Sequence, residues 1–584
     1  MLHLLLSLVV LLAIVGSCLI LPFLTFIQYP KRNRFQLKQV QRDVSFSFRM
    51  LIQFRRIVLF IMDSLVHQIH ARFTMRPTFK PEYGKHMNSS AQVEIVKPSV
   101  SDHRKFSLLS PFDVAFPPSF YCFFFEGYLD RDAFLRAMSK VLDVVPSLGG
   151  RVIQFHSLHE ITTKAEEWFN GLEKLEKEVI KTRLHVGRKP VPVFDLRNVQ
   201  LEVAFVDDDT IQTNETGLLS ATELAKHLSI LGSFMTIGPV KVVHSEASEP
   251  LTRFQVTYLR KSNKTALTLF MDHAVGDAAS VSMVMKLLGD EMSSRNAQSQ
   301  AEKKKELPIQ NATSFFKYVY NREDEKIDDF AYSYYDPTAC YSFFRAEVVK
   351  YLENMKKNNS KIISKEVTVT KRQLDQLKKR VTSENKELEG AKLTSNEILS
   401  AILLKSLAIG DKQNRFRNEK LLTLRYVATC RERCDFIASN YFGNAFGFIF
   451  NSRTKKQLSE AKISDIVLYL KQVALRTVDH HSYWEGKIEE MCQRYFDPLQ
   501  VDFGFPAFEG NDNYMGITNW VKPMSSIAEH FSDKSFLGVS TLCMPFPHVN
   551  KILPASTMST DGGLRLVLSL YEPEYLYFIS EISK

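Results

Sequence analysis

The stretch that most restricts the fold is a pair of alternating segments running directly into a helical pattern. Residues 252–260 and 265–271 alternate apolar and polar side chains around Lys-Ser-Asn-Lys, which is typical of a β-hairpin. The second segment leads into Asp-His-Ala-Val-Gly-Asp at 272–277, after which apolar residues recur at helical spacing. This order predicts a strand–turn–helix junction, with His273 in the turn and Asp277 at the helix start.

Strand and helix patterns occur on both sides of a polar stretch at 356–361. Helical patterns lie at 130–145, 372–380 and 395–407, and strand patterns at 363–370, 420–428 and 564–570. The chain has 584 residues, enough for two large domains, since a domain typically has about 150 residues or more. We therefore predict an α/β fold with mixed sheets and a domain boundary at 355/356.

The first thirty residues predict a membrane anchor. Residues 4–27 contain no charged side chain, and about 20 apolar residues suffice to cross a bilayer as a helix. A cleaved signal peptide is the alternative, but its apolar region is about 7–15 residues long and follows a basic start, whereas this start is neutral. We predict a single-pass membrane protein with a transmembrane helix at 1–30, followed by a basic juxtamembrane segment and linker at 31–103.

The flanking charges predict the orientation of that anchor. Eight Lys and Arg residues lie between positions 31 and 56, and by the positive-inside tendency they place the rest of the chain in the cytosol. The endoplasmic reticulum is one candidate membrane.

The net charge of +10 does not indicate nucleic-acid binding, because it is confined to one end. Residues 1–105 hold 15 Lys and Arg against 5 Asp and Glu, so the remainder holds 60 of each. A balanced body has no basic face to follow phosphates. The seven cysteines form no disulfide or zinc pattern, Cys430 and Cys434 included, which favours a reducing compartment. We expect no metal, no bound cofactor, no nucleic-acid partner and a monomer.

The residues His-Ala-Val-Gly-Asp at 273–277 are the first candidates for chemistry. Histidine has an ordinary pKa of about 6.5 and is suited to proton transfer near neutral pH. A lone His-x-x-x-Asp is common by chance, and each residue has a structural explanation: Asp277 as a helix N-cap, and His273 as a hydrogen-bonded turn residue. The residues alone leave both alternatives open.

Several further stretches give this motif a context. They follow one another as LSPFDVAF at 109–116, FLRAMSKVLDVVPSLGGRV at 134–152, HAVGD at 273–277, LTSNEILSAILLKSLA at 393–408, NYFGNAFG at 440–447 and GITNW at 516–520. In this order they resemble the BAHD acyltransferases, a family that moves acyl groups from acyl-CoA to alcohols or amines. The resemblance implies two chloramphenicol-acetyltransferase-like domains, as also found in peptide-synthetase condensation domains. The N-terminal acyltransferase domain would cover 104–355 and carry the motif, and the C-terminal one would cover 356–584.

The resemblance also implies roles for five residues. In a site between the domains, His273 would be the general base, and Asp277 would hold the turn and the orientation of the ring. Thr518 would donate its hydroxyl to the oxyanion, and Trp520 would shape the acceptor pocket. Asn444, in YFGNAFG, is a further substrate-binding candidate. Each of the last three has a structural alternative: a surface hydroxyl, a core aromatic and a tight-turn residue, respectively.

The chain departs from the family pattern at two places. The glycine that usually follows the motif aspartate is Ala278. The family signature DFGWG has a literal near-match, Asp-Phe-Gly-Phe-Pro at 502–506, but this precedes Thr-Asn-Trp instead of following it. By position the better counterpart is Ser-Phe-Leu-Gly at 535–538. Because that signature resembles a structural element, we expect its loss to affect domain packing and not chemistry.

The sequence thus predicts a membrane-anchored acyltransferase with acyl-CoA as co-substrate and a lipophilic hydroxyl or amine compound as acceptor. His273 would deprotonate the acceptor for direct attack. No covalent intermediate is needed, in agreement with the absence of a G-x-S-x-G elbow or an evident Cys-His pair. One alternative is lipid esterification of the wax-ester-synthase and diacylglycerol-acyltransferase kind, whose H-H-x-x-x-D-G motif differs at Asp272 and Ala278. The other is a non-catalytic, membrane-tethered ligand-binding protein.

Overall fold

The structure is a computed structural model that describes much of the chain from residue 91 onward. The described ranges are 91–100, 106–109, 119–186, 191–231, 250–293, 362–411, 415–434, 437–477, 483–486, 513–531, 535–542, 547–559 and 561–584. The chain divides into two compact units, Met1–Lys85 and His86–Lys584, and all described residues belong to the second. The predicted anchor at 1–30 and the near-match at 502–506 lie outside the described residues.

The structure contradicts the predicted single-pass membrane localisation. Within the described ranges, no helix combines the length and the apolar composition needed to cross a bilayer. The longest helix there, Ala278–Ser293, has 16 residues and rises about 24 Å, less than the ~30 Å of a hydrocarbon core. The prediction of a membrane protein facing the cytosol is wrong by this criterion, and the run 4–27 on which it depended is not among the described residues.

The strands of the described residues form three sheets. They are β1 Gln92–Val96, β2 Phe106–Leu108, β3 Ser119–Glu126, β4 Arg151–Phe155, β5 Val191–Asp195, β6 Leu201–Asp208, β7 Thr252–Leu259, β8 Lys264–Met271, β9 Ile362–Val369, β10 Leu421–Thr429, β11 Phe446–Thr454, β12 Tyr514–Asn519, β13 Phe536–Ser540, β14 Val549–Pro554 and β15 Leu564–Tyr571. The first sheet has the order β1-β6-β7-β8-β3-β13, the second β11-β10-β12-β14-β15-β9, and the third β2-β5-β4. The first two sheets contain both parallel and antiparallel pairs, which confirms the predicted α/β fold with mixed sheets.

The helices cover the sheets and follow ordinary capping rules. They are α1 Arg131–Val144, α2 Leu158–Lys164, α3 Glu166–Gly171, α4 Lys174–Lys181, α5 Ala221–Lys226, α6 Leu228–Leu231, α7 Ala278–Ser293, α8 Lys371–Glu384, α9 Ser395–Ile409, α10 Lys455–Glu460, α11 Ile463–Arg476, α12 Val521–Ser525 and α13 Glu572–Ile582. Helix α9, for example, begins with a capping box between Thr394 and Glu397, a pairing that satisfies two otherwise unpaired backbone N–H groups. The sequence patterns at 130–145, 372–380 and 395–407 are confirmed as helices.

The predicted hairpin is confirmed and lies in the middle of the first sheet. β7 pairs with β8 in antiparallel register from Thr252 opposite Met271 to Leu259 opposite Lys264. Almost every residue of both strands is buried, although alternation predicts only one buried face. The second face is buried as well, because a separate apolar cluster that includes Phe124, Ala266 and Leu537 covers it.

One face of the second sheet rests on helices, and the opposite face carries functional candidates. Ile517 of β12 and Ile552 of β14 join residues of α8, α9, α11 and α13 in one core cluster. Because side chains alternate along a strand, Thr518 and Lys551 lie on the other face, directly opposite each other in the parallel register of these strands.

The strand β13 links the two halves of the chain. It follows β12 in sequence but pairs with β3 of the first sheet, with Ser540 opposite Cys122. A bulge lies between Phe536 and Gly538, and Gly538 has a φ of +149°, a conformation that favours glycine. The Ser-Phe-Leu-Gly counterpart of the family signature is therefore part of a sheet, consistent with the structural part expected of it.

The segment predicted as a linker contains a β-strand. β1 lies inside 31–103 and forms the edge of the first sheet, where it pairs with β6, Val96 opposite Leu201. Most of its side chains are exposed, so backbone hydrogen bonding places it there, and backbone pairing leaves only a weak trace in an apolar pattern.

Candidate active site

The turn between β8 and α7 carries His273 and is held by close local contacts. The Asp272 carboxylate accepts a hydrogen bond from the backbone N–H of Ala274 at 2.7 Å. A Cβ at Gly276 would lie 2.5 Å from the Cβ of Ser280, so only glycine permits this approach of the turn to the first turn of α7. The predicted strand–turn–helix junction is confirmed.

Both ring nitrogens of His273 are engaged, each by a different part of the chain. Nδ1 lies 3.0 Å from Oδ1 of Asn444, and Nδ2 of Asn444 donates to the His273 carbonyl. Nε2 lies 2.9 Å from Oγ of Ser119. Because the Asn444 oxygen only accepts, Nδ1 carries the proton in the neutral ring, and Nε2 is left as the basic atom, accepting from the Ser119 hydroxyl.

The surroundings keep His273 neutral. Burial is the largest influence and lowers its pKa below the ordinary 6.5; the hydrogen bond that the ring donates to Asn444 and the charge of Asp277 raise it, and the charge of Lys551 lowers it. The net pKa is lowered, so the ring is unprotonated at neutral pH, as a general base must be. The adjacent Asp272 is affected in the opposite sense, because burial raises its pKa to about 6.

Asp277 does not touch the imidazole but anchors the turn that carries it. As the N-cap residue just before α7, it accepts from the Ser280 N–H at 3.0 Å, and it also accepts from the Ala445 N–H at 3.1 Å. Arg431 donates to both of its oxygens, at 2.7 and 3.0 Å. Burial raises the pKa of Asp277, but the Arg431 charge and these hydrogen bonds outweigh it and the net pKa is lowered. Asp277 thus caps α7 and pairs with Arg431, and Asn444 is the residue whose side chain contacts Nδ1 of the ring; the role of Asp277 in catalysis stays a prediction.

Arg431 fixes the loop that delivers Asn444. Its Nε donates to the Tyr441 carbonyl at 2.9 Å, and a terminal nitrogen donates to the Gly443 carbonyl at 2.7 Å. Gly443 has a φ of +137° and exchanges hydrogen bonds with the Ser280 hydroxyl. The loop before β11 and the first turn of α7 are thus tied together next to His273. Asn444 is fully buried and contacts His273 through both its amide oxygen and its amide nitrogen; its substrate-binding role stays a prediction.

Thr518 and Trp520 lie at the end of β12, with Lys551 beside them. The Lys551 ammonium lies 4.9 Å from the centre of the Trp520 ring and donates to the Thr541 hydroxyl at 2.9 Å. Thr518 is half-buried. Lys551 lies opposite Thr518 in the register of β12 and β14, and its positive charge lowers the pKa of His273.

Trp520 is mostly a core residue. It is 5% exposed and stacks on Tyr121 with ring centres 4.7 Å apart. The stack connects β12 of the second sheet with β3 of the first. These contacts fit the core-aromatic alternative, and the role of Trp520 in the acceptor pocket stays a prediction.

Three residues of this site were not identified from the sequence. They are Ser119, Arg431 and Lys551, which reach His273, Asp277 and Thr518 from other elements of the fold. Arg431 belongs to the Cys-Arg-Glu-Arg-Cys segment, which a search for a buried partner of Asp277 would have singled out. Ser119 and Lys551 have no local motif, because a single strand residue acquires a neighbour only through sheet register.

No group of three or more His, Cys, Asp or Glu side chains in the described ranges is arranged to hold a metal ion. Cys430 and Cys434 are buried free thiols. Burial raises the pKa of Cys430 well above its ordinary value, which disfavours the thiolate that a metal would need.

Comparison with sequence families gives one match. The model of the family described as "Transferase family" matches residues 226–583, well over half of the chain. No curated protein sequence matches the chain.

Comparison with solved structures shows the fold. The chain is similar to vinorine synthase, with 11% identity, a TM-score of 0.52, and coverage of 84% of this chain and 99% of that one. It is also similar to F. sporotrichioides TRI101 solved with coenzyme A and T-2, with 11% identity, a TM-score of 0.50, and coverage of 81% and 97%. A third similar structure is F. graminearum TRI101 with coenzyme A and deoxynivalenol, with 11% identity, a TM-score of 0.50, and coverage of 80% of this chain and 96% of that one.

Proposed function

Because the chain belongs to the Transferase family, the CoA-dependent acyltransferases of BAHD type, we propose that it transfers an acyl group from acyl-CoA to a hydroxyl or amine acceptor with His273 as the general base. The observation that carries this proposal is the pairing of Nδ1 with Asn444, which leaves Nε2 basic. Support for acyl-CoA as donor comes from the family and from a fold shared with proteins solved with coenzyme A.

The reaction needs one proton to move twice. Nε2 of His273 takes the proton of the acceptor O–H or N–H as the acceptor atom attacks the thioester carbonyl carbon. The tetrahedral intermediate collapses, the C–S bond breaks, and the leaving thiolate takes the proton from the imidazolium. The acyl group passes directly to the acceptor, and the enzyme returns to its starting state.

Thr518 is proposed as the hydroxyl that stabilises the oxyanion. It lies at the end of β12 on the face opposite the helices, beside Lys551. A well-placed donor of this kind contributes about 2.7–4 kcal/mol to the transition state. The Lys551 ammonium adds positive charge on the same side of the site. Trp520 is proposed to form part of the acceptor wall beside Lys551, whose ammonium lies over its ring.

The test is thiol release from a series of acyl-CoA compounds, measured with a panel of alcohols and amines. We expect acceptor-dependent release of coenzyme A and an acylated product whose mass identifies the acyl group and the acceptor. Treatment of that product with hydroxylamine distinguishes an ester, which is cleaved, from an amide.

Replacing the base separates this function from a background reaction. His273→Ala should lower the rate by about 10²–10⁴-fold, the usual contribution of a general base. His227→Ala is the matched control, because His227 is another half-buried histidine, at the C-terminal end of α5. Full activity of correctly folded His273→Ala would contradict the proposal.

A further inference from the structure

Ser119 lies where an acceptor hydroxyl is expected to lie. It is the first residue of β3 and pairs with Met271 at the end of β8, which puts it beside the turn that carries His273. Its Oγ lies 2.9 Å from Nε2, within the range for proton transfer to a general base. The side chain is half-buried, at the edge of the core and not sealed inside it.

Tyr121 lies two residues along β3 from Ser119, on the same face of that strand. Tyr121 is itself held by its stack on Trp520. Burial raises the pKa of Tyr121, so this residue stays protonated at neutral pH. The Ser119 proton is directed at Nε2, because the ring proton of His273 is on Nδ1, which faces Asn444.

Ser119, His273 and Asn444 together have the arrangement of an activated nucleophile. A hydroxyl contacts a basic ring nitrogen, and the opposite nitrogen of that ring is held by a third polar side chain. This combination of nucleophile, base and orienting group is what makes serine reactive in acyl transfer. The three residues come from the start of β3, the turn after β8 and the loop before β11, so no single sequence motif contains all of them.

We propose that Ser119 is an internal acyl acceptor: when acyl-CoA is bound and no external acceptor is present, the acyl group is transferred to Oγ of Ser119. The inference rests on the proposed function, because it uses the same base and the same donor. It adds a covalent acylation site and a side activity, the consumption of acyl-CoA without an acceptor.

The step balances without any further reactant. Nε2 of His273 takes the Ser119 proton, and the bond from Oγ to the carbonyl carbon forms. The C–S bond breaks, and the thiolate of coenzyme A takes the proton from the imidazolium. Water then attacks the serine ester with His273 again as base, the ester C–O bond breaks, and Oγ recovers a proton as the free acid leaves.

The experiment uses the full chain with acetyl-CoA and, separately, octanoyl-CoA, with no acceptor added. Samples are quenched in acid at short times, and intact mass and peptide mass are measured beside coenzyme A release. We expect a gain of one acyl group per chain, located on the peptide that contains Ser119, together with acceptor-independent release of coenzyme A. Ser119→Ala should lose both signals, and His273→Ala should lose them as well.

Two further variants sharpen the result. Ser119→Cys should still be acylated, now as a thioester that neutral hydroxylamine removes readily. Ser107→Ala is the matched control, because Ser107 is a half-buried strand serine in the third sheet, and it should keep the adduct. Thermal unfolding of each variant shows whether it is folded.

The outcomes separate this inference from the proposed function. Transfer to an external acceptor with neither an adduct nor Ser119-dependent release of coenzyme A would overturn the inference and leave the function standing. An adduct of equal size in Ser119→Ala would also overturn it. Failure to consume acyl-CoA under any condition would overturn both.

Discussion

Arg431 donates to both carboxylate oxygens of Asp277 although the two residues are 154 positions apart. Both side chains are almost fully buried. The pair joins the first turn of α7 to the loop before β11, and these two segments supply His273 and Asn444. The aspartate of the His-x-x-x-Asp motif therefore ties together the two segments that hold the imidazole.

We expect Asp277→Asn to destabilise the protein strongly. Removing one partner leaves the Arg431 charge buried and uncompensated, which typically costs about 3–5 kcal/mol. Urea unfolding followed by intrinsic fluorescence measures this loss. Lys522→Ala is the control, because Lys522 pairs with Glu432 on the exposed surface and its loss should change stability little.

The same pair predicts a dependence of stability on pH. The folded-state pKa of Asp277 is lowered, so its contribution is present above the pKa of the unfolded chain and is lost as the pH falls through the folded value. The difference in unfolding free energy between the wild type and Asp277→Asn should therefore become smaller as the solution is made acidic. A constant difference in unfolding free energy down to strongly acidic pH would contradict this role.

Lys551 should set the acid limb of the activity profile. Its charge lowers the pKa of His273, so Lys551→Met should raise that pKa and move the loss of kcat/KM to higher pH. Lys551→Arg keeps the charge and should leave the limb in place. The profile of kcat/KM against pH measures both variants, and an unchanged limb in a folded Lys551→Met protein would show that the ammonium does not influence the base.

Asn444 offers an independent test of the base. Asn444→Asp places a carboxylate against Nδ1, which raises the pKa of His273 and moves the acid limb upward, whereas Asn444→Ala removes the orienting contact and should lower kcat without a matching rise in KM. The two variants differ in the sign and kind of change, which a purely structural role would not produce. Identical losses in both, with no shift of the limb, would contradict the assigned hydrogen bond.

The features predicted correctly from the sequence were those that depend on residues close together in the chain. The hairpin, the turn with His273 and the start of α7 depend on side-chain periodicity within about 40 residues, and the structure confirms them. Ser119 and Arg431 could not be found in this way, since they reach His273 and Asp277 from distant segments through sheet register and loop packing. Asn444 was named from the family resemblance, but as a substrate-binding candidate and not as the partner of His273.

The pairing of β13 with β3 of the first sheet could not be predicted for the same reason. A strand of five residues with every side chain buried gives no indication of which sheet it joins. Trp520 presents a different difficulty. An aromatic residue suits both a core position and the wall of a pocket, so the residue type alone could not predict its stack on Tyr121.

Thr518 provides the sharpest test of oxyanion stabilisation. Thr518→Val keeps the branched shape that suits β12 and removes only the hydroxyl, so we expect kcat to fall about 10²–10³-fold, as for loss of one oxyanion donor, with stability nearly unchanged. Steady-state kinetics of thiol release and thermal unfolding measure the two quantities. Thr368→Val, at an exposed position of β9 in the same sheet, is the matched control and should retain the wild-type rate. A rise in KM alone in Thr518→Val would instead assign the hydroxyl to ground-state binding of the substrate.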